Sequence, residues 1–262
     1  MPTTLERILA TTRGELPSLH RRRAAVEQAA LEAPDPPPLF TRWSREHLAL
    51  IAEIKRRSPS AGKISLALDP VVHARAYVQA GASAISVLTD GPYFGGSLDD
   101  LRAVTAQVRA PALRKDFIID ELQIAEARAA GGSAVLLIAR ALSPGRLGEL
   151  ARSARDWKLD VLVEIHDASE LEAALEAEVA VVGVNSRNLD TFEIDTAAAW
   201  ELLGRVPADR IAIAESGMAS LDDVRRAAEA GADGVLIGTA LSASPDPSGL
   251  TRACAAVRRR GR

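Results

Sequence analysis

Residues 229–239, EAGADGVLIGT, join the end of an amphipathic stretch to a short apolar run through a glycine. QAGASAISVLT at residues 79–89 and RAAGGSAVLLI at residues 128–138 repeat the same order. Glycine commonly follows the end of a helix, and short β-branched apolar runs are typical of buried strands. The three near copies therefore predict a repeated unit in which a helix ends at glycine and a buried parallel strand follows.

Eight such apolar runs occur along the chain, and all but the fourth carry a polar or charged residue among their last two residues. They occupy residues 48–55, 84–90, 111–115, 134–139, 160–165, 180–185, 211–216 and 234–239. Each is too short for a buried helix, and the stretches between them have the periodicity of amphipathic helices. Eight strand-then-helix units predict an α/β fold, a single (β/α)8 (TIM) barrel, for which 262 residues is a typical length.

An N-terminal helical segment precedes the first strand. Residues 5–12 and 19–31 are predicted to be helical, with a break between them that carries Gly14 and Pro17. Residues 33–39, APDPPPL, predict an extended connector, because each proline fixes φ and removes a hydrogen-bond donor. We therefore expect one barrel domain over residues 1–262, in which residues 1–47 form a helical extension and connector.

Residues that favour helix N-caps follow several of the predicted strands. The helices between strands are predicted to start at Asp69, Ser97, Asp120, Ser143 and Ser220. The helix that starts at Ser97 is predicted to end near Ala110.

Composition narrows the classes of function. A net charge of −3, from 32 Lys and Arg against 35 Asp and Glu, gives no overall attraction to nucleic acid or to anionic membranes. The N-terminus shows no signal-peptide pattern and no apolar run is long enough to cross a bilayer, which favours a cytoplasmic protein. The single cysteine, Cys254, excludes an intrachain disulfide and is interpreted as a packing residue. We expect a monomer, because no heptad repeat or large apolar stripe is evident.

The first run ends with an acid and a base two residues apart. Side chains alternate along a strand, so Glu53 and Lys55 project to the same side. If that side is the barrel interior, both groups lie at its mouth, where they are available for chemistry. A buried ion pair that only neutralises itself is the alternative interpretation.

Further polar residues end the third, fifth, sixth and seventh runs: Lys115, Glu164, Asn185 and Glu215. Any one of them is more often structural than catalytic, but convergent strand ends bring them together at one mouth. A lysine buried there has a pKa that burial lowers or that neighbouring carboxylates hold high. The four histidines are scattered, and His166 is interpreted as a loop residue, so no metal site is predicted.

The last two strand ends carry small residues suited to an anion. Ser216 and Gly217 follow the seventh run, and Gly238 and Thr239 end the eighth. In barrels of this kind, the loops after these two strands commonly bind phosphate through backbone N–H groups. Ser58 in the first loop adds a hydroxyl donor. Ordinary turn geometry is the alternative explanation of the glycines.

Two phenylalanines stand in loops of a chain that has only 3% aromatic residues. Phe94 follows the second run and Phe117 follows the third. They are interpreted either as a wall for an aromatic substrate or as plugs of the barrel rim.

Together these motifs resemble the indole-3-glycerol-phosphate synthase family. The matching stretches are IAEIKRRSPSAGKI (51–64), SVLTDGPYFGGSLDDL (86–101), ALRKDFIIDELQI (112–124), VLVEIHD (161–167), GVNSRNLDTFEID (183–195), IAESGM (213–218) and GVLIGTAL (234–241). The resemblance implies a (β/α)8 barrel that closes the ring of 1-(2-carboxyphenylamino)-1-deoxyribulose 5-phosphate. Carbon dioxide and water are lost, indole-3-glycerol phosphate is formed, and no cofactor is needed.

The resemblance also implies residue roles. Lys115 is implied to be the general acid and Glu164 to transfer protons in the dehydration. Lys55, with Glu53 as partner, is implied to hold the benzoate carboxylate. The remaining implied roles are substrate binding for Asn185, Arg187 and Glu215, the anthranilate pocket for Phe94 and Phe117, and the phosphate site for Ser58, Ser216, Gly217, Gly238 and Thr239.

One departure from the family concerns the first loop. Many members carry a lysine where this chain has Ala61, two residues before Lys63. Which cation of this loop closes over the substrate therefore stays open.

The alternative functions are those of two other kinds of enzyme and of one non-enzymatic scaffold. A phosphoribosylanthranilate isomerase would typically use a cysteine, and Cys254 is far from any strand end. An aldolase would use Lys115 as the amine nucleophile of a Schiff base. A silent barrel that acts as a scaffold is disfavoured because reactive residue types fill the strand ends.

Overall fold

The computed structural model describes residues 3–40, 43–44, 46–60, 62–65 and 67–261, so the departure at residue 61 lies outside the described residues. Eight parallel strands close into a barrel in chain order, with β1 hydrogen-bonded to both β2 and β8. The strands are β1 Ala49–Ile54, β2 Ala84–Leu88, β3 Ala112–Lys115, β4 Ala134–Ile138, β5 Asp160–Ile165, β6 Val181–Asn185, β7 Ile211–Glu215 and β8 Gly234–Ile237. The predicted (β/α)8 barrel is confirmed.

Helices alternate with the strands and surround the barrel. They are α1 Thr4–Arg21, α2 Arg23–Glu32, α3 Pro70–Gln79, α4 Leu98–Gln107, α5 Glu121–Ala129, α6 Pro144–Asp156, α7 Ala168–Glu176, α8 Thr196–Gly204, α9 Leu221–Glu229, α10 Thr239–Ala243 and α11 Pro247–Ala255. The five predicted N-caps are confirmed, since each side chain accepts a backbone N–H of the first turn. None of the helices in the described ranges has the length and apolar character needed to cross a membrane.

The predicted end of α4 near Ala110 is wrong. The helix ends at Gln107, and Val108 is already extended, with φ −123° and ψ 121°. A β-branched residue has a weak helix preference. Val108 is also buried, so it packs in the apolar layer as the chain turns towards β3.

The predicted break at Gly14 and Pro17 is also wrong, because α1 continues through both residues. Helix-interior glycine and proline cost about 1 and 3 kcal/mol respectively relative to alanine. Two features offset that cost. Thr3 and Glu6 form a capping box at the helix start, and the helix buries five side chains, namely Leu5, Ile8, Leu9, Thr12 and Leu19. The chain instead breaks at Arg22, between α1 and α2.

The connector after α2 runs from the outer helices to the N-terminal end of the barrel. Residues 34–38 have no regular secondary structure, as predicted. The Leu39 N–H donates to Asp160 Oδ2 at 2.7 Å, and Asp160 begins β5. Leu39 and Phe40 are both buried, so the connector covers the N-terminal end of the barrel and leaves the C-terminal mouth as the opposite face.

Side-chain alternation divides the core into two layers. Ile51 belongs to an apolar cluster inside the barrel, whereas Leu50 and Ala52 pack in the layer between strands and helices. Glu53 and Lys55 therefore continue the inward-facing row of β1. The first loop is more regular than predicted, because Arg57–Ser58 pairs with Gly62–Lys63 in a short antiparallel hairpin.

Candidate active site

A cavity of about 350 Å³ opens at the C-terminal ends of the strands. Every predicted site residue lines it: Glu53, Lys55, Ser58, Phe94, Lys115, Phe117, Glu164, Asn185, Arg187, Glu215, Ser216, Gly217, Gly238 and Thr239. Apolar residues Leu136 and Ile138 of β4 complete one wall. Strand register explains the convergence, because Asn185 lies beside Glu215 and Ile138 lies beside Glu164 in the sheet.

Lys115 is at the centre of the polar wall. Its Nζ donates to Glu164 Oε2 at 2.9 Å and to Glu215 Oε2 at 2.5 Å. Burial lowers the pKa of Lys115, but Glu164, Glu215 and Glu53 together outweigh it and hold the pKa well above its usual range. The side chain is therefore an ammonium at neutral pH.

The two carboxylates that share Lys115 differ in their preference for a proton. For Glu164, burial raises the pKa, but Lys115, His166 and the Asn185 amide outweigh it and leave the pKa below its usual range. For Glu215, burial exceeds the effect of Lys115, and nearby Glu164 adds repulsion, which raises the pKa to about 7. Two adjacent carboxylates cannot easily ionise together, so the pair holds one proton more readily on Glu215.

A glycine in β6, Gly183, leaves room for the side chain of Glu215. A Cβ at Gly183 would overlap Glu215 Oε1 and would lie 3.2 Å from Leu162 Cδ1. Oε1 is buried and has no hydrogen-bond partner among the described residues. The carboxyl group thus fills the space that Gly183 leaves, which directs Oε2 towards Lys115.

Glu53 and Lys55 form a second charged pair in the cavity. Lys55 Nζ lies 2.5 Å from Glu53 Oε1, and Ser86 Oγ donates to Glu53 Oε2 at 3.3 Å. Glu53 is 1% exposed and the Lys55 side chain is 18% exposed. Glu53 and Lys55 do form the buried ion pair of the alternative interpretation. Lys55 also borders the cavity, so its ammonium can contact a bound molecule.

Asn185 and Arg187 stabilise the loop after β6. Asn185 Oδ1 accepts the Arg187 N–H at 3.0 Å, and Arg187 Nη1 donates to the Phe192 carbonyl at 3.1 Å. Burial lowers the pKa of Arg187. The loop is thereby closed on itself, with the guanidinium bordering the cavity.

The seventh and eighth strand ends form a tightly turned backbone wall. Ser216 and Gly217 are both left-handed, with φ 61° and 71°. A Cβ at Gly217 would lie 2.6 Å from Thr196 Cγ2, so only glycine fits there without displacement. Gly238 directly precedes α10, and a Cβ there would overlap Glu53 Oε1. At both positions, glycine is required for packing.

An aromatic pair forms the opposite side of the cavity. The ring centroids of Phe94 and Phe117 are 6.0 Å apart and the planes are tilted by 36°. Both rings border the cavity and share an apolar cluster with Leu9 of α1 and Ile138. This arrangement favours a wall over an external rim plug.

Sequence reasoning missed two features of this region. The first is His166, whose side chain is 6% exposed and whose Nε2 lies 3.6 Å from Glu164 Oε1. Alternation places residues 164 and 166 on the same side, which was the available signal. The second is Arg56, whose two terminal nitrogens donate to Asp100 and so attach the first loop to α4.

Lys63 lies apart from this cavity. Lys63 is exposed in the short hairpin, and it does not line the cavity. Across the part of the chain that the structure describes, no group of three or more His, Cys, Asp or Glu side chains could hold a metal ion.

Solved structures share the fold at low sequence identity. A 3-hexulose-6-phosphate synthase from Salmonella typhimurium has a TM-score of 0.65 at 16% identity, over 79% of this chain and 97% of that chain. A thiamine phosphate pyrophosphorylase from Pyrococcus furiosus has a TM-score of 0.59 at 17% identity, over 79% and 93%. At such identities the similarity supports the barrel alone.

Sequence similarity is more specific. The family model described as indole-3-glycerol phosphate synthase matches residues 5–254. The chain is 44% identical to the indole-3-glycerol phosphate synthase of Opitutus terrae over 259 residues, which covers 95% of this chain and 97% of that protein. It is 46% identical to the one of Azospirillum brasilense over 238 residues, which covers 89% and 90%. The chain belongs to the indole-3-glycerol phosphate synthase family.

Proposed function

We propose that this chain converts 1-(2-carboxyphenylamino)-1-deoxyribulose 5-phosphate to indole-3-glycerol phosphate. The aromatic carbon that bears the carboxylate attacks the ribulose ketone, carbon dioxide leaves, and water is then eliminated to complete the pyrrole ring. Family membership supports the reaction, and one observation carries its placement: a buried ammonium, Lys115, lies between two carboxylates inside a cavity that borders both an aromatic wall and two tightly turned strand ends.

Lys115 acts as the general acid in the first step. Attack on the ketone places negative charge on its oxygen, and a nearby ammonium both stabilises that charge and supplies a proton. The raised pKa of Lys115 does not prevent transfer, because an alkoxide is a stronger base than an amine. Glu164 and Glu215 orient the ammonium, and Glu164, whose pKa is lowered, is its counter-ion.

Glu164 moves protons in the dehydration. Its lowered pKa keeps it ionised and able to accept a proton, while its contact with Lys115 keeps it close to the reacting oxygen. Asn185 binds polar groups of the sugar, with Arg187 supporting the loop behind it. Glu215 organises this end of the site through Lys115.

Lys55 holds the benzoate carboxylate until it departs. Glu53 fixes the Lys55 ammonium from behind and so restricts its direction of approach. The aromatic ring of the substrate packs against Phe94 and Phe117, with Leu136 and Ile138 on the same apolar wall. Desolvation by this wall favours loss of the charged carboxylate as neutral carbon dioxide.

The phosphate binds at the ends of β7 and β8. Backbone N–H groups around Ser216, Gly217, Gly238 and Thr239 supply donors, and Ser58 of the first loop adds a hydroxyl. Phosphate at one end and aromatic ring at the other fold the flexible chain of the substrate, so that the two reacting carbons meet.

Turnover of the proposed substrate tests this function. Purified protein mixed with carboxyphenylamino-deoxyribulose phosphate should develop indole fluorescence and release one carbon dioxide per indole formed. A folded protein that produces neither would contradict the proposal.

Reduction with borohydride tests the alternative of a Schiff-base aldolase, which the structural observations do not favour. A paired ammonium is a poor nucleophile, so we expect no covalent adduct at Lys115 on reduction in the presence of substrate. The isomerase reading has less support, because Cys254 is 1% exposed in α11 and does not line the cavity.

We also expect the protein to act as a cytoplasmic monomer. The exposed large apolar side chains among the described residues are Leu31 of α2, Val72 of α3 and Ile194 of the loop between β6 and α8. Scattered exposed residues of this kind do not form a stable interface. Light scattering at micromolar concentration should give a mass near 27.7 kDa, and a mass of twice that would contradict the monomer.

A further inference from the structure

A chain of polar side chains runs outward from Glu164 on the side away from Lys115. Glu164 Oε2 accepts from Lys115, while Oε1 lies 3.6 Å from His166 Nε2. The other ring nitrogen of His166, Nδ1, lies 3.2 Å from Glu170 Oε2. Arg140 Nε in turn donates to Glu170 Oε1 at 2.8 Å. Glu170 is thus held from both sides, and it fixes the orientation of the imidazole ring.

The ring has one nitrogen whose purpose the local structure does not explain. The His166 side chain is 6% exposed, and its Nε2 is buried without a hydrogen-bond partner among the described residues. Because an ionised Glu170 only accepts hydrogen bonds, Nδ1 carries the hydrogen of that contact. When the ring is neutral, the atom that faces Glu164 Oε1 is then Nε2 with its lone pair.

A neutral ring can therefore accept a proton from Glu164 through Nε2. Glu164 acquires such a proton each time it accepts one from the substrate. The gap of 3.6 Å is slightly longer than a hydrogen bond, as is common for catalytic contacts before substrate binds. The geometry therefore suits a transfer that takes place only during turnover.

We propose that His166 is a positioning residue that acts through Glu164: it accepts on Nε2 the proton that Glu164 has taken from the substrate, and it returns that proton through Glu164 to the departing hydroxyl. The transfer converts the Glu164 carboxyl to a carboxylate and the imidazole to an imidazolium, and the return step reverses both. Glu170 supplies the negative charge that stabilises the imidazolium, and Arg140 holds Glu170 in place. This inference rests on the proposed ring closure.

The charged groups around the relay come from several elements. Lys115 of β3 and Glu215 of β7 face Glu164 inside the barrel, while the Asn185 amide of β6 approaches it from the neighbouring strand. His166 faces Glu164 on one side and Glu170 of α7 on the other. Asp167 lies 3.7 Å from Arg140 at the outer end.

The test is His166→Asn, measured by single-turnover kinetics against pH. Asparagine can still donate to Glu170 but has no group that accepts a proton from Glu164. We expect the single-turnover rate constant to fall by about 10-fold to 10²-fold, with less change in KM. The positive charge of a protonated His166 lowers the pKa of Glu164, so a variant that cannot carry that charge should have a higher Glu164 pKa and an acidic limb that lies at higher pH.

Two controls separate the relay from a structural role. Glu170→Gln leaves the imidazole in place but removes the charge that stabilises the imidazolium, so it too should slow turnover and move the acidic limb. It also serves if His166→Asn does not fold. His73→Asn, a matched substitution on α3 whose ring bonds the Asp69 carbonyl, should leave both rate and profile unchanged.

An equal loss at every pH in folded His166→Asn and Glu170→Gln, with the acidic limb unmoved, would overturn the relay. Wild-type turnover in both variants would overturn it as well. A wild-type protein without turnover would instead contradict the ring-closure function itself. The two failures are therefore distinguishable in one set of assays.

Discussion

Gly183 of β6 and Glu215 of β7 occupy one space, because the Glu215 carboxyl group lies where a Cβ of residue 183 would stand. The two residues lie on hydrogen-bonded neighbouring strands. Gly183 does not have a positive φ, so its backbone conformation does not require glycine. Glycine is required there because a side chain would overlap Glu215. The position of Lys115, which Glu215 holds, thus depends on the absence of a side chain one strand away.

Gly183→Ala should therefore damage the site. We expect the free energy of unfolding to fall by about 1–3 kcal/mol from overpacking. Displacement of Glu215 and Lys115 should lower kcat by up to about 10²-fold. Urea denaturation and steady-state kinetics measure both effects.

Gly14→Ala is the matched control for that substitution. A Cβ at Gly14 in α1 would meet nothing within 4 Å, and alanine favours a helix interior. We expect unchanged kcat and a gain of about 1 kcal/mol in the free energy of unfolding. Equal behaviour of the two variants would show that the space around Glu215 is not restrictive.

Glu164→Gln should lower kcat more than it changes KM. Glutamine retains a carbonyl that accepts a hydrogen bond from Lys115, but it cannot take a proton. The variant therefore loses proton transfer, which contributes about 10²–10⁴-fold to the rate. Steady-state kinetics at several pH values make this measurement. An effect confined to KM would move Glu164 from the proposed proton transfer to substrate binding.

Glu215→Gln should change the pH dependence of stability. The folded pKa of Glu215 is about 7 and its ordinary value is 4.5, so the folded protein binds a proton more tightly than the unfolded chain does. Wild-type stability therefore loses a contribution as pH rises from about 4.5 to 7, and glutamine removes that loss. The free energy of unfolding of the variant, relative to wild type, should increase over this range. A constant or decreasing difference would contradict the raised pKa.

The barrel was predictable from sequence because its signal is repeated and local. Each buried strand ends a unit that begins with a helix cap, and the N-caps such as Asp69 and Ser97 stand next to the elements they begin. The break in α1 was mispredicted because Pro17 carries a strong local signal. The side chains of α1 that are buried against the rest of the protein override that signal through tertiary contacts, together with the local capping box of Thr3 and Glu6.

The residues that line the cavity could be predicted from the sequence, but the contacts between them could not. Strand-end position alone places Lys115, Glu164 and Glu215 at one mouth, since parallel strands converge there. Which carboxylates share Lys115 depends on barrel stagger and side-chain rotamers, which no short motif encodes. His166 was overlooked because its role depends on Glu170, which lies on the following helix.

Lys115→Met measures the central claim most directly, with Lys158→Met as a matched control. Lys158 is an exposed lysine that contacts Asp35 away from the cavity, so its replacement should leave turnover unchanged. Formation of indole-3-glycerol phosphate from carboxyphenylamino-deoxyribulose phosphate should fall by at least about 10³-fold in Lys115→Met, in a protein whose circular dichroism matches wild type. Turnover within a few fold of wild type would contradict the assignment of Lys115 as the proton donor.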